Sequence, residues 1–307
     1  MGRKDHAAPR SERLYLLAFD HRNSFRSQFF GFPTNVRAED QQRLVDAKRI
    51  IYEGCLSAIA SGLPASNVGI LVDEQFGAEV ALDARAKDLK LAMPVERSGQ
   101  REFAFEYGRA FGVHLETYRP TYAKVLVRFN PALEGELNDR QVRRLKLLTA
   151  WLEKSHSKLM FELLVPPLAA QLAAVGGDQK RFDEETRPGL MLEAIQRMHR
   201  DGIEPAVWKI EGFESADACQ RIASAVRSEG RDEVGCVVLG RGADSAAVER
   251  WLAAAASVPG YIGFAVGRTI WWDPLKAFTE GRASRPEAVT SIADNYLSMV
   301  RFYEAVE

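Results

Sequence analysis

Short apolar runs alternate with amphipathic stretches along almost the whole chain. Eight such runs have the length and composition of β-strands, at residues 14–19, 68–74, 90–96, 124–130, 158–166, 206–213, 235–242 and 261–268. The stretches between them carry apolar residues at helical spacing, as Leu44, Ala47 and Ile51 do within residues 38–60. Further helices are predicted at 139–155, 188–201, behind Ser215, and at 246–256, 273–279 and 286–305. Strands that alternate with helices indicate parallel β/α architecture.

A single (β/α)8 TIM barrel fits this pattern best, because the chain has 307 residues and no Pro/Gly/Ser-rich linker divides it. We expect a catalytic barrel over residues 14–307, preceded by a flexible tail over residues 1–13. Residues 176–187 are the least regular stretch and are predicted to form an exposed connection. A doubly wound open sheet is the main alternative, but no GxGxxG follows the first strand.

Composition narrows the function classes. Forty-one basic residues against 42 acidic ones provide no positive field that would hold nucleic acid. The three cysteines form no CxxC pair and are expected to be buried, reduced thiols. Neither a secretory signal nor a membrane-length apolar run occurs, so we expect a cytoplasmic protein without a membrane or nucleic-acid partner.

The sixth strand carries a lysine on its inward face. Trp208 and Ile210 are apolar and should face the helices, which turns Lys209 into the barrel. Loss of hydration there favours a neutral amine, the nucleophile that forms a Schiff base with a ketone. A structural lysine paired with a nearby acid is the alternative interpretation.

Two neighbouring strands add charged side chains to the same interior. The same alternation turns Glu162 inward on the fifth strand and Lys124 inward on the fourth. A carboxylate between two amines can move protons as a general acid and base. A plain ion pair between Lys124 and Glu162 is the alternative, although such pairs are expensive to bury.

Glycine and arginine follow the seventh and eighth strands. Gly240-Arg241-Gly242 and Gly267-Arg268 lie where TIM barrels commonly bind phosphate. Glycine permits close approach of backbone N–H groups to an anion, and arginine binds phosphate oxygens in pairs. Ordinary turn chemistry with solvated arginines is the alternative.

Acidic residues end the first two strands. Asp20, Asp73 and Glu74 could bind substrate hydroxyls or serve as helix caps and loop acids, and His21 could bind a ligand or orient Asp20. Trp271 and Trp272 are interpreted as packing that holds the phosphate loop.

Taken together, these segments resemble the class I tagatose-bisphosphate aldolase-like family, and most of all its 2-deoxy-5-keto-gluconate-6-phosphate aldolase-like domain, which is associated with inositol catabolism. The segments that carry the resemblance are AFDHR, ILVDEQFG, KVLVRFNP, MFELLVPP, VWKIEGF, VLGRGAD and GFAVGRTIWW. The resemblance implies a Schiff-base lysine at Lys209, an acid–base residue at Glu162 and an assisting lysine at Lys124. It also implies phosphate binding at Arg268 beside Gly267, and the first-strand acid at Asp20. The family role of Arg241 stays open.

The resulting hypothesis is a cofactor-free and metal-free aldolase that cleaves a ketose phosphate into a dihydroxyacetone-phosphate-like fragment and an aldehyde. One alternative is a metal-dependent sugar-phosphate lyase or isomerase that uses carboxylates of the set Asp20, Asp73, Glu74, Glu162 and Glu211. Another is a barrel that binds a sugar phosphate without turnover. A homo-oligomer is expected, as is common for such barrels.

Overall fold

The computed structural model describes residues 13–307, so most of the predicted tail, residues 1–12, lies outside the described residues. Eight parallel strands close into a barrel in sequence order. They are β1 (Leu14–Ala18), β2 (Val68–Leu71), β3 (Lys90–Pro94), β4 (Tyr122–Arg128), β5 (Lys158–Leu164), β6 (Val207–Glu211), β7 (Gly235–Leu239) and β8 (Tyr261–Val266). The predicted single (β/α)8 TIM barrel is therefore confirmed, and the open-sheet alternative is wrong.

Helices surround the barrel. They are α1 (Ala38–Ala60), α2 (Glu74–Ala86), α3 (Phe111–Tyr118), α4 (Leu137–Leu152), α5 (Ala169–Ala174), α6 (Gln179–Arg181), α7 (Arg187–Arg200), α8 (Ala216–Val226), α9 (Ser245–Ala256), α10 (Arg268–Thr279) and α11 (Arg285–Val306). The expectation of an exposed connection at residues 176–187 is only partly met. This stretch contains α6 and a π-helical turn, Phe182–Thr186, and the Phe182 side chain is fully buried.

The strands face two different layers, as their alternation predicts. Val125, Phe161 and Trp208 point outward into the large apolar core shared with the helices. Met160 and Val207 point inward, into a smaller apolar cluster that fills the barrel. Above this cluster, towards the carboxyl ends of the strands, the interior becomes polar, because Lys124, Glu162 and Lys209 occupy the inward positions there.

The last helix covers the seam where the first and last strands meet. Leu14 of β1 pairs with Gly263 of β8. From α11, Tyr296 donates a hydrogen bond to the carbonyl oxygen of Tyr15 at 2.6 Å, and Tyr303 donates one to that of Tyr261 at 3.3 Å. Both tyrosines are fully buried, so α11 is part of the barrel's closure rather than an appendage.

A fully buried lysine joins α1 to the ends of β1 and β2. Lys48 Nζ donates to the carbonyl oxygens of Phe19 at 2.7 Å and of His21 at 3.0 Å, and it forms an ion pair with Asp73. Asp73 also caps α2, accepting a hydrogen bond from the backbone N–H of Phe76 at 3.0 Å. Asp73 is therefore a structural cap and not a group on the rim that could bind a substrate hydroxyl.

Replacement of Lys48 by methionine should lower the free energy of unfolding by about 3–5 kcal/mol, because it leaves the buried Asp73 carboxylate without its cation. Urea denaturation followed by circular dichroism measures this loss. The matched control is Lys87→Met, which breaks an exposed pair with Asp83 and should cost about 0.5 kcal/mol or less. Equal losses for the two variants would contradict the importance of the buried pair.

Candidate active site

A cavity of about 610 Å³ opens at the carboxyl ends of the strands. Six of the nine predicted site residues line it, namely Asp20, Lys124, Glu162, Lys209, Arg241 and Arg268. The remaining three, Gly240, Gly242 and Gly267, line a small recess beside it, which also reaches Glu162 and Lys209. The fold thus brings all nine residues to one end of the barrel.

A chain of charges crosses the floor of this cavity. The register of the sheet places Glu162 directly opposite Lys209 on the neighbouring strand. One carboxylate oxygen, Glu162 Oε2, lies 2.9 Å from Lys209 Nζ and 2.9 Å from Lys124 Nζ. The carboxylate therefore stands between two amines, which is the arrangement that inward alternation on three strands predicts.

Three carboxylates converge on Lys124. Besides Glu162, its Nζ donates to Asp20 Oδ2 at 2.9 Å and to Glu96 Oε1 at 2.7 Å. Burial acts to lower the pKa of Lys124, but Asp20, Glu162 and Glu96 outweigh it and hold that pKa well above its ordinary value. Lys124 is thus a permanent cation at the centre of the site.

Two of these carboxylates are held in their charged form. Burial acts to raise the pKa of Asp20 and of Glu162, yet Lys124 and Lys209 together reverse this and lower both. An ionised Glu162 beside Lys209 can accept a proton from an ammonium or from a carbinolamine hydroxyl.

Glu96 and Arg22 belong to this cluster although neither was predicted. Arg22 donates to the carbonyl oxygen of Glu96 at 2.7 Å and to Glu106 Oε2 at 3.0 Å. Glu96 follows β3 and lies on the same face as Ala92, which points into the barrel. Extending the inward alternation two residues beyond Pro94 would have identified it.

Arg268 lies at the start of α10, and its guanidinium lies against the β7–α9 loop. It donates to the carbonyl oxygen of Arg241 at 2.9 Å. A Cβ added at Gly242 would lie 2.1 Å from this guanidinium, and one added at Gly267 would lie 1.9 Å from the carbonyl oxygen of Ala18. Close approach to the backbone therefore requires glycine at position 267, whereas at position 242 the positive φ of 74° favours glycine and a side chain would displace the Arg268 guanidinium.

Arg268 has no carboxylate within ion-pairing distance among residues 13–307. Burial lowers its pKa from the ordinary value without making it neutral. A half-buried cation of this kind favours an anionic ligand.

Arg241 is arranged differently from Arg268. Its guanidinium contacts Asp183 Oδ2 at 2.8 Å and Glu211 Oε1 at 3.2 Å. Arg187 contacts the same two carboxylates, at 3.2 and 3.5 Å. Arg241 therefore ties the β7 loop to the π-helical turn at 182–186, while its carbonyl oxygen positions Arg268.

Of the remaining candidates, His21 lines the cavity, whereas Glu74 and Trp271 do not. Burial, with the charges of Arg268, Lys209 and Lys48, lowers the pKa of His21 to about 4, so its imidazole is neutral at pH 7. Glu74 pairs with His114, away from the cavity. Trp271 is fully buried and donates to the carbonyl oxygen of Ala18 at 3.0 Å, which agrees with its predicted packing role.

The carboxylates of the alternative metal hypothesis do not share one point in space. Asp20 and Glu162 contact Lys124, Asp73 contacts Lys48, and Glu211 contacts two arginines. Within residues 13–307, no three His, Cys, Asp or Glu side chains form a group that could hold a metal ion.

None of the helices in residues 13–307 combines the length and the hydropathy that a membrane-spanning helix needs.

Comparison with known proteins gives a family and a fold. A family model described as "Uncharacterized protein conserved in bacteria (DUF2090)" matches residues 2–307. No curated protein matches the chain. Among solved structures, Cgl0159 from Corynebacterium glutamicum (Brevibacterium flavum) is 16% identical, with a TM-score of 0.57 over 94% of this chain and 86% of that one.

A second similar structure is fructose-bisphosphate aldolase from Plasmodium falciparum, determined in complex with TRAP and a small-molecule inhibitor. It is 11% identical, with a TM-score of 0.61 over 96% of this chain and 92% of that one. At such identities these two likenesses establish the shared barrel fold and nothing finer.

Replacement of Lys124 by methionine should change how stability depends on pH. In the wild type, the lowered pKa values of Asp20 and Glu162 give stability that is present above about pH 4 and lost as the pH falls further. Without the cation, burial should raise those pKa values, so that stability decreases as the pH rises.

Urea unfolding at pH 5 and pH 8 measures this effect. The deficit of the variant relative to wild type should be larger at pH 8, where it should reach about 3 kcal/mol or more. Lys276→Met, at an exposed pair with Glu280, is the control. A deficit independent of pH would mean that Lys124 does not set the charge of these carboxylates.

Proposed function

We propose that this chain, which belongs to the DUF2090 family, is a class I aldolase that cleaves a ketose phosphate through a Schiff base on Lys209. The products would be a dihydroxyacetone-phosphate-like fragment and an aldehyde. The observation that carries the proposal is the 2.9 Å contact of Lys209 with Glu162, whose same oxygen also contacts Lys124, on the floor of an open cavity.

In this mechanism Lys209 Nζ attacks the ketone carbon. Glu162 first accepts the proton that leaves the Lys209 ammonium, then returns it to the carbinolamine hydroxyl, which departs as water. The resulting iminium withdraws the electron pair of the adjacent C–C bond as that bond breaks. Lys124 remains charged throughout and stabilises the anionic form of Glu162.

The phosphate would bind at the loops after β7 and β8. Arg268 supplies a cation that has no carboxylate partner among residues 13–307, and Gly242 leaves room for its guanidinium against the β7–α9 loop. Fixing the phosphate there would hold the ketone over Lys209, which lines the same small recess as Arg268.

The resemblance to tagatose-bisphosphate aldolase-like proteins supports the same chemistry, and one protein of similar fold is named an aldolase.

Of the alternatives, a metal-dependent lyase is less favoured because the Lys124 ammonium occupies the point where three carboxylates meet. A barrel that only binds a sugar phosphate would not need two lysine amines in contact with the Glu162 carboxylate on the floor of its cavity. The cytoplasmic location, the absence of a cofactor and a homo-oligomer stay predictions.

Treatment with borohydride and dihydroxyacetone phosphate should attach the reduced ketone covalently to Lys209, as peptide mass spectrometry can detect. Lys209→Met should lose this adduct and lower the cleavage rate by at least about 10³-fold, since the nucleophile is gone. Lys276→Met should retain both. If wild type gives no adduct with dihydroxyacetone phosphate, fructose 1,6-bisphosphate or tagatose 1,6-bisphosphate, the proposed function is wrong.

Replacement of Arg268 by alanine should weaken phosphate binding. A charge-assisted hydrogen bond contributes about 1.5–3 kcal/mol, so KM for a ketose phosphate should rise about 10- to 100-fold. Steady-state kinetics measures the change, and Arg250→Ala, at an exposed pair with Glu214, is the control. An unchanged KM would place the phosphate elsewhere in the cavity.

A further inference from the structure

We propose that Glu96 is a second catalytic acid–base residue, which accepts the hydroxyl proton of the substrate carbon that becomes the aldehyde. This rests on the proposed aldolase function and assigns a step that Lys209 and Glu162 leave without a base. For a C–C bond to break towards an iminium, the hydroxyl on the departing carbon must lose its proton.

Glu96 lines the cavity and has one carboxylate oxygen that accepts no hydrogen bond from residues 13–307. The residue is 7% exposed and lines the cavity. Its Oε1 accepts from Lys124 at 2.7 Å, whereas Oε2 has no hydrogen-bond partner among residues 13–307. A buried carboxylate oxygen without a partner is costly in a native protein, and a ligand hydroxyl is the group that would satisfy it.

The position of Glu96 separates it from the imine. The strand order places β3 and β5 on either side of β4, so Glu96 and Glu162 contact Lys124 from opposite sides. Only Glu162 also contacts Lys209. Glu162 is therefore placed for proton transfers at the imine nitrogen and the adjoining carbon, and Glu96 for those farther along the substrate.

The electrostatics of the two carboxyl groups suit these separate tasks. Burial raises the pKa of Glu96, with Asp20 adding to the rise, and the charges of Lys124 and Arg22 only partly oppose it. Two further carboxylates lie in this cluster, namely Glu162, which also contacts Lys124, and Glu106, which pairs with Arg22. Asp20 and Glu162 have lowered pKa values and are weaker bases than Glu96. A base is most effective when its pKa approaches the operating pH.

The step balances without any further reactant. In the cleavage direction, Glu96 Oε2 takes the hydroxyl proton, and the O–H electron pair becomes the second bond of the aldehyde carbonyl. The C–C electron pair moves to the iminium, which becomes a neutral enamine. In the reverse direction, protonated Glu96 returns the proton to the new alkoxide as the C–C bond forms.

Partial reactions of the full chain separate this role from a structural one. Exchange of the carbon-bound proton of dihydroxyacetone phosphate in deuterium oxide, observed by NMR, needs Lys209 and Glu162 but no aldehyde. Aldol addition of dihydroxyacetone phosphate to glyceraldehyde 3-phosphate or glycolaldehyde needs the second proton transfer as well. Glu96→Gln should therefore slow the addition about 10²- to 10⁴-fold while exchange and borohydride labelling of Lys209 stay within about threefold of wild type.

The conservative variant and the pH profile add two further readouts. Glu96→Asp should recover part of the addition rate, and Glu249→Gln, at an exposed position on α9, should match wild type in every reaction. In the wild type, the rate of ketose-phosphate cleavage should fall at low pH as Glu96 becomes protonated. This fall should be absent in Glu96→Gln.

Equal losses of exchange and addition in Glu96→Gln would overturn the inference, since Glu96 would then support only the fold or Lys124. A wild-type protein that exchanges the proton but adds neither aldehyde would also overturn it. Failure of wild type to label Lys209 at all would instead refute the proposed function, so the two failures are distinguishable.

Discussion

The ion contacts of Lys124 are the interaction on which the polar interior of the barrel depends. Carboxylates from the ends of β1, β3 and β5 meet its ammonium at 2.7 to 2.9 Å. None of these buried carboxylates could stay charged at acceptable cost without a cation at this point. The Lys124 ammonium also keeps Glu162 ionised beside Lys209. The same positive charge therefore stabilises the fold and supports the proposed chemistry.

Two lysines hold the end of β1 from opposite sides. Lys124 binds the Asp20 carboxylate from within the barrel, and Lys48 binds the carbonyl oxygens of Phe19 and His21 from the helix side. The backbone on both sides of Asp20 is therefore fixed by hydrogen bonds from the buried Lys48. Such support from neighbouring groups is what keeps a site preorganised when its ligand is absent.

Periodicity accounts for what could be predicted from the sequence. Alternation along β4, β5 and β6 correctly turns Lys124, Glu162 and Lys209 inward, since apolar neighbours must face the helices. The same rule turns Glu96 inward at the last position of the predicted third strand, so this residue was within reach of prediction although it was missed. Residues such as Arg22 and Lys48 could not be predicted at all, because their partners lie far along the chain and only the closed barrel brings them together. The turn sequences predicted phosphate binding near both Arg241 and Arg268. In the structure, however, the Arg241 guanidinium forms ion pairs with Asp183 and Glu211.

The seam between β1 and β8 has a consequence for how the protein is made. The first strand finds its outer partner only after Tyr261–Val266 has been synthesised, and the tyrosines that seal this seam come from the final helix. During translation, this edge of β1 can therefore pair only after the residues of β8 have left the ribosome. Closure of the barrel thus depends on contacts of very large sequence separation, which are slow to form because a long loop must close first.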